Sequence, residues 1–514
     1  MQQSRSSEAK VHPRICVPLC AKTFAELERL SSESVAIANL IELRLDCLDE
    51  KELVIAQQRV IQLAAHLPVP LIITLRPAEQ GGQREIDFAR RREFWEQLRK
   101  PTTSWFDIEK DLCESSLEID WSRVICSHHD FSGVPNNLDD IYDEMAQTPA
   151  AILKIAVRAN DTVDCLPILK LLDRARNDGR ELLAVSMGDA GVATRILGPS
   201  RGSFLTYGAL KPASGTAPGQ LTAKQLKSVY RVPDIDERTR VYGLVGSPVM
   251  HSISPDIHNS AFEAEKINGV YLPFEVKNIR SFIERLVHPA SRELDLCISG
   301  LSVTAPHKLE VMQFLNWIDP RATDIGAVNT VVVEDDRLRG YNTDVDGFIE
   351  PLLKAIELTA NSKVAVIGAG GAANGAIWSL REKGAKVVLF ARDPQKARPL
   401  AEKFEVPLER LDVGSFASFD VVINATPLGS FGKQVDETPA TAVQLRGVRL
   451  AYDLVYNPIE TPFLREAASV GCKTLGGLEM LVAQAQLQFK LWTGKEAPRS
   501  LMHAAALQAL KSII

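Results

Sequence analysis

Between residues 15 and 210 the chain alternates short apolar, β-rich runs with segments of helical periodicity. The runs are ICVPLC (15–20), LIELRLD (40–46), PLIITLR (70–76), WFDIEK (105–110), RVICSHHD (123–130), AILKIAV (151–157), ELLAVSMG (181–188) and SFLTYGAL (203–210). Helix-like stretches such as FAELERLSS and ARRREFWEQL separate them, so the runs recur every ~20–30 residues. Eight such units in about 200 residues predict a small (βα)₈ barrel, with a doubly wound open sheet as the alternative. A closed barrel places its chemistry at the carboxyl ends of the strands.

The segment VPDIDERTR (232–240) carries five charges and reads as a linker. A second α/β pattern follows, with strands expected at 241–246, 270–276, 297–304, 328–334, 421–427 and 450–456. Within it, residues 363–392 read as strand, glycine turn, helix and strand, and 479–513 as two helices. The expected division is a barrel over 1–231, a linker over 232–240, a substrate-binding domain over 241–345 completed by helices at about 479–514, and a Rossmann-type domain over 346–478.

Composition adds limits. The 514 residues exceed one hydrophobic core, and 45% hydrophobic with 24% charged residues is ordinary for globular chains. The net charge of -6 and the lack of a dense basic block argue against a nucleic-acid partner. No apolar run reaches the ~20 residues of a membrane span, and MQQSRSSEAK has no signal-peptide core, so a cytoplasmic protein is expected. The eight cysteines form no CxxC pair and read as reduced thiols.

Gly368, Gly370 and Ala373 fall in the G-x-G-x-x-A register between a strand and a helix. Such a turn lets a pyrophosphate approach the backbone at a helix N-terminus, which marks a dinucleotide site. At the end of the next strand Arg392 suits a 2′-phosphate and so NADP, with Asp393 directly after it. Four polar clusters surround this motif: Ser252 with Ser254, Thr304 to Lys308, Asn329 with Thr330, and Asn342 to Asp344. A lysine and an aspartate near a hydride acceptor can share proton transfer to a forming alkoxide. In the first half, Lys154 lies inside an apolar strand, where a charge is costly and the amine is favoured as an imine-forming nucleophile. His129 ends the preceding strand and can move a proton there. A metal site at His128 and His129 is the alternative for that pair, without a third ligand pattern to support it. Glu42, Arg44, Arg76 and Arg195 fall at other strand ends, and several arginines on one face suit a carboxylated, hydroxylated substrate.

Two resemblances rest on these residues. The ExRxD at Glu42–Asp46, HDF at His129–Phe131, KIAV at Lys154–Val157, SMG at Ser186–Gly188, Arg195 and APGQ at Ala217–Gln220 resemble type I 3-dehydroquinate dehydratase across roughly 15–225. The resemblance implies that Lys154 forms a Schiff base and His129 is the general acid–base, with Glu42, Arg44, Arg76, Arg195, Thr216 and Gln220 binding substrate. Here Gln80 stands where that family has glutamate before paired glycines, and Thr216 where it has serine. The serine pair, VTxPxK at Val303–Lys308, GAVNT at 326–330, NTD at 342–344, NATPxG at Asn424–Gly429 and MLVxQA at Met480–Ala485 resemble shikimate dehydrogenase over nearly all of 241–495. That likeness implies NADP-linked reduction of 3-dehydroshikimate, with quinate as an alternative substrate. Lys308 and Asp344 would be catalytic; Ser252, Ser254, Thr304, Asn329, Tyr456 and Gln484 would bind substrate; Gly368, Gly370, Gly371, Ala372, Arg392, Thr426 and Gly477 would hold the cofactor. Ser302 replaces the asparagine most common in that family.

Overall fold

The computed structural model describes residues 14–98, 103–412, 414–432 and 434–513. The chain divides into two compact units, Met1–Met250 with Asn268–Ile298, and His251–Ile267 with Ser299–Ile514.

The eight apolar runs of the first unit become β1 (Ile15–Leu19), β2 (Leu40–Arg44), β3 (Leu71–Thr74), β4 (Trp105–Glu109), β5 (Val124–Asp130), β6 (Ile152–Arg158), β7 (Glu181–Met187) and β8 (Thr206–Tyr207). Their nearly continuous burial is what parallel strands covered by helices require. The order β7-β6-β5-β4-β3-β2-β1-β8 is that of a barrel. A parallel bridge between Leu182 and Ser203, with Phe204 N donating to Leu182 O at 2.9 Å, closes the ring, so the open-sheet alternative is excluded. Cys16, Leu40, Ile72, Ile125, Ile152 and Leu183 come from six strands and fill the interior. The eighth strand is two residues long rather than the expected eight. At Gly208 a Cβ would stand 2.6 Å from Ala223 Cα, so the chain leaves the sheet where another backbone crowds it. The charged segment 232–240 is packed rather than extended, with Val232, Ile235 and Thr239 buried. This unit also carries the parallel pair β9 (Arg240–Gly246) and β10 (Gly269–Glu275).

In the second unit, β11 (Ile298–Val303) pairs antiparallel with β13 (Thr330–Glu334), which pairs antiparallel with β14 (Arg337–Tyr341); β12 (Trp317–Ile318) runs parallel to β14. A six-stranded parallel sheet of β15 (Lys363–Ile367), β16 (Lys386–Ala391), β17 (Leu408–Arg410), β18 (Val421–Asn424), β19 (Leu450–Asp453) and β20 (Lys473–Leu475) has the order β17-β16-β15-β18-β19-β20. The order reverses at β15, the switch point at which a nucleotide crevice forms. The two expected C-terminal helices are Gly477–Thr493 and Arg499–Ile513.

One expectation is corrected. Cys20 and Cys47 form a disulfide with Cα atoms 5.5 Å apart, while the other six cysteines are thiols. They are 27 residues apart, yet follow the adjacent parallel strands β1 and β2, a proximity that linear spacing does not display. Among the described residues no helix is long and apolar enough to cross a membrane.

Candidate active sites

At the carboxyl ends of the barrel strands, Glu42, Arg44, Arg76, Gln80, His129, Lys154, Arg195, Tyr207, Thr216 and Gln220 line one cavity. Strand geometry brings them together. Alternate residues of a strand face the same side, and parallel neighbours align their ends.

Lys154 is 5% exposed, as its apolar strand requires, but it is not an isolated amine. Its Nζ donates to Asp107 Oδ2 at 2.6 Å and to Tyr207 Oη at 3.2 Å, and stands 3.8 Å from Glu42 Oε1. Burial alone pushes the Asp107 carboxyl up, yet Arg76 and then Lys154 more than offset this and hold it well below the usual carboxylate range. Asp107, Glu109, Ser127 and Tyr207 went unread in the sequence. The alternation of Asp107 and Glu109 in WFDIEK, two acids on one face of an apolar strand, was the available signal for the first two.

Arg76 is engaged on its own acids. It lines the cavity, but its guanidinium donates to Asp107 Oδ1 at 2.6 Å, to Glu109 Oε1 at 2.8 Å and to Ser127 Oγ at 2.7 Å. It thereby ties together the acids on the strand that faces Lys154. Arg44 is likewise held by both oxygens of Asp46, at 2.9 and 2.8 Å. Arg195 is different: it is 2% exposed, and its Nη2 donates to Pro218 O at 3.3 Å. Burial without a facing carboxylate lowers it to about 10, and its Nε has no partner among the described residues. A buried guanidinium that meets only a main-chain carbonyl among the described residues has donors left for a carboxylate. Thr216 and Gln220 hold their loop shut, Thr216 N donating to Gln220 Oε1 at 2.8 Å.

His129 is pushed well below the ordinary imidazole range by burial and by the charges of Arg76 and Lys154. Its ring stacks on Phe131, and its Nδ1 has no partner among the described residues. Gln80 Oε1 accepts from the His129 backbone N–H at 3.0 Å, so the amide that replaces the expected glutamate is bonded to the main chain of His129. Among the described residues no group of three or more His, Cys, Asp or Glu is arranged to hold a metal.

In the second unit Lys308 Nζ and Asp344 Oδ2 are 2.6 Å apart, and both are partly exposed. Asn329 Oδ1 accepts from Thr343 N at 2.7 Å, which ties its strand start to the turn before Asp344. Ser252 Oγ and Ser254 Oγ are 3.1 Å apart at the start of the helix Ser254–Ala264. At Gly347 a Cβ would lie 2.6 Å from Gln484 Cβ, so the helix that begins at Asp344 packs against the one that carries Gln484. Gly477 N donates to Val455 O at 3.3 Å beside Tyr456. Thr304 follows β11, and its carbonyl accepts from His307 N at 3.0 Å. Ser302 is explained by Gln488, which sequence reasoning missed: Ser302 Oγ donates to Gln488 Oε1 at 2.8 Å, and Gln488 Nε2 donates to Thr330 Oγ1 at 3.0 Å.

The glycine turn fits a dinucleotide. Gly368 has φ 112, and a Cβ there would lie 2.8 Å from Thr426 Cγ2 and 2.9 Å from Ala425 O. At Gly370 and Gly371 an added Cβ would meet nothing within 4 Å, so the space before the helix Gly371–Glu382 is open. That helix has no side-chain cap, which leaves its first amides, including that of Ala372, for an anion. Asp393 caps its own helix through Gln395 N and Lys396 N, while Arg392 is exposed.

A barrel with a buried amine at its strand ends and a nucleotide fold with a lysine–aspartate pair define a two-centre α/β enzyme. Sequence profiles agree: type I 3-dehydroquinase matches residues 15–237, the shikimate dehydrogenase substrate binding domain 244–331, shikimate / quinate 5-dehydrogenase 352–431, and the shikimate 5′-dehydrogenase C-terminal domain 477–507. The chain is 34% identical to the chloroplastic bifunctional 3-dehydroquinate dehydratase/shikimate dehydrogenase of Arabidopsis thaliana, over 95% of this chain and 83% of that one. It is 30% identical to the shikimate biosynthesis protein AroDE of Chlamydia pneumoniae, over 93% and 95%. A shikimate dehydrogenase solved in complex with NADP+ is 37% identical with a TM-score of 0.50, covering 54% of this chain and 97% of its own. The chain belongs to the family of bifunctional 3-dehydroquinate dehydratase/shikimate dehydrogenases.

Proposed function

We propose that Lys154 and His129 dehydrate 3-dehydroquinate in the barrel, and that Lys308 and Asp344 serve NADPH-linked reduction of the product in the second unit. The chain is a lyase and an oxidoreductase of the shikimate pathway, taking 3-dehydroquinate to 3-dehydroshikimate and then to shikimate. The observation that carries the first half is a buried amine facing a cavity that also holds an imidazole and a guanidinium that meets no acid among the described residues.

The Lys154 amine adds to the substrate ketone and loses water, which leaves an iminium. The iminium acidifies the neighbouring carbon. His129, kept neutral by its surroundings, takes that proton, and the electron pair moves toward nitrogen. The imidazolium then protonates the departing hydroxyl, and hydrolysis frees the enone and Lys154. Arg195 holds the carboxylate, and Thr216, Gln220, Glu42 and Arg44 bound the hydroxylated ring. In the second step bound NADPH supplies the hydride. The Lys308–Asp344 pair delivers a proton to the forming alkoxide, while Ser252 and Ser254 face the carboxylate and Thr304, Asn329, Tyr456 and Gln484 the ring. Gly368, Gly370, Gly371, Ala372, Thr426 and Gly477 cradle the dinucleotide, and Arg392 selects the 2′-phosphate. The same reading divides the functions at 232–240, a division supported by profile matches that end at 237 and resume at 244, and places both steps in the cytoplasm.

The test is a titration of the full chain with 3-dehydroquinate. Without NADPH, 3-dehydroshikimate should accumulate; with NADPH it should disappear as one equivalent of cofactor is oxidised. An enone that forms but never consumes NADPH would refute the second assignment.

A further inference from the structure

Two side chains of the nucleotide-binding half of the second unit converge on one main-chain atom of its substrate-binding half. Ile325 is the last residue of the helix Pro320–Ile325, which stops at Gly326 in the left-handed region with φ 73. Such an end leaves carbonyls without intrahelical partners, at the negative pole of the helix. The Ile325 carbonyl accepts from Asn374 Nδ2 at 3.1 Å and from Lys403 Nζ at 2.6 Å. Asn374 lies in the first turn of the helix Gly371–Glu382, which the glycine turn opens, and Lys403 lies on the helix Pro394–Phe404, which follows Arg392. Both donors ride on helices that begin at the cofactor crevice. The contact has a cost: Asn374 Oδ1 is buried without a partner among the described residues, an orientation worth holding only for what the amide nitrogen does.

The carbonyl belongs to the segment that braces the proton-transfer pair. Directly after it, Val328 N donates to Lys308 O at 2.8 Å, Asn342 Nδ2 donates to Ala327 O at 2.9 Å, and Asn329 receives Thr343 N at 2.7 Å. The loop 326–329 thus fixes the backbone of Lys308 on one side and the turn into Asp344 on the other.

We propose that Asn374 and Lys403 are positioning residues that couple nucleotide binding to the geometry of Lys308 and Asp344 through the Ile325 carbonyl. This rests on the dehydrogenase reading above. A dinucleotide that fixes the start of the Gly371–Glu382 helix also fixes Asn374, and with it the loop that carries Asn329. Ligands bound at two places on one such framework tighten each other reciprocally.

The experiment is calorimetric titration of shikimate into the full chain, with and without saturating NADP+, for the unaltered protein, Asn374→Ala/Lys403→Met and Lys403→Arg. In the unaltered protein NADP+ should tighten shikimate by a factor in the typical coupling range of about 5–150. The double variant should bind each ligand alone within about twofold of the unaltered protein, yet lose the coupling by about fivefold or more, toward the coupling factor of 1 that marks independent sites. Lys403→Arg keeps a cation at the carbonyl and should keep the coupling. Amide hydrogen exchange across 325–330 in the ligand-free double variant should accelerate, with dehydratase turnover unchanged as a check on folding. An undiminished coupling factor in the double variant overturns the proposal. So does a parallel loss of both ligands taken singly with a lowered melting temperature, which marks a purely structural contact. Failure of the unaltered protein to bind shikimate at all would instead refute the dehydrogenase reading.

Discussion

Asp107 and Lys154 form a buried pair, Oδ2 to Nζ 2.6 Å, on the two strands that flank the strand of His129. Because Arg76 occupies the other Asp107 oxygen at 2.6 Å, this carboxylate keeps its charge when the amine becomes an iminium. The carboxylate that faces Lys154 is then also the counter-charge of the electron sink. Asp107→Asn should lower dehydratase turnover per folded molecule by about 10–150-fold, the worth of a charge-assisted hydrogen bond of ~1.5–3 kcal/mol. Borohydride with dehydroshikimate should still trap ligand on Lys154, but more slowly. Turnover equal to that of the unaltered protein would show that the pair only serves packing. Melting must be followed in parallel, since removing one partner of a buried ion pair typically costs ~3–5 kcal/mol.

The barrel and the nucleotide fold were legible because their strands are buried on both faces and so appear as apolar runs. Elements that lack this signature were missed: β12, β14, β17 and β20 are short or carry polar residues such as Arg337 and Arg339 in β14. The chemically singular residues, Lys154 in an apolar strand and His129 at a strand end, stood out for the same reason. What sequence could not supply was pairing. Arg44, Arg76 and Arg195 look alike as letters, yet Arg44 meets Asp46 two residues along the chain, Arg76 meets Asp107 and Glu109 that only the barrel brings close, and Arg195 meets no acid among the described residues. The Cys20–Cys47 link and the Ser302–Gln488 contact, 186 residues apart, are of the same kind.

His129 is depressed by burial first, then by Arg76 and Lys154, so it stays neutral as pH falls through ~6.5, where an ordinary imidazole would be half protonated. As a base it should therefore work further into acid, and the acid limb of the kcat profile should fall below ~6.5. Gln80→Glu puts a carboxylate beside His129, which favours the imidazolium. That variant should move the acid limb upward while turnover at its optimum stays equal or improves. An acid limb that does not move would mean that another group sets it, and a large loss of turnover that the loop has adapted to the amide.

Arg392 is exposed at the end of β16, and the acid beside it is spent on a helix cap. Arg392→Ala should weaken NADPH by about 10–150-fold, the equivalent of ~1.5–3 kcal/mol, and leave NADH nearly unaffected. Separate KM measurements for the two cofactors decide this. Equal losses would show that Arg392 does not read the 2′-phosphate.

The two lysines test the division of labour. Lys154 supplies a covalent electron sink, and among the described residues no other lysine lines its cavity. Lys308 supplies a proton donor paired with Asp344, a contribution of ~10²–10⁴-fold in such reactions. Lys154→Ala should abolish dehydration and leave reduction of added 3-dehydroshikimate intact; Lys308→Ala should do the reverse. Lys154→Ala strips Asp107 of one cation, but Arg76 remains on the other oxygen, so the carboxylate is not stranded. Lys308 is about one-third exposed, and its loss leaves Asp344 within reach of water. Lys154→Ala removes one partner of a buried ion pair and should lower the melting temperature, Lys308→Ala should change it little, and both variants should still melt cooperatively. A mixture of the two should restore conversion of 3-dehydroquinate to shikimate, because 3-dehydroshikimate made by one molecule can diffuse to another. The rate of the mixture should rise with total protein concentration. If Lys308→Ala also silences dehydration in a chain with unchanged melting, each lysine does not serve one chemistry, and the assignment of two separate centres is wrong.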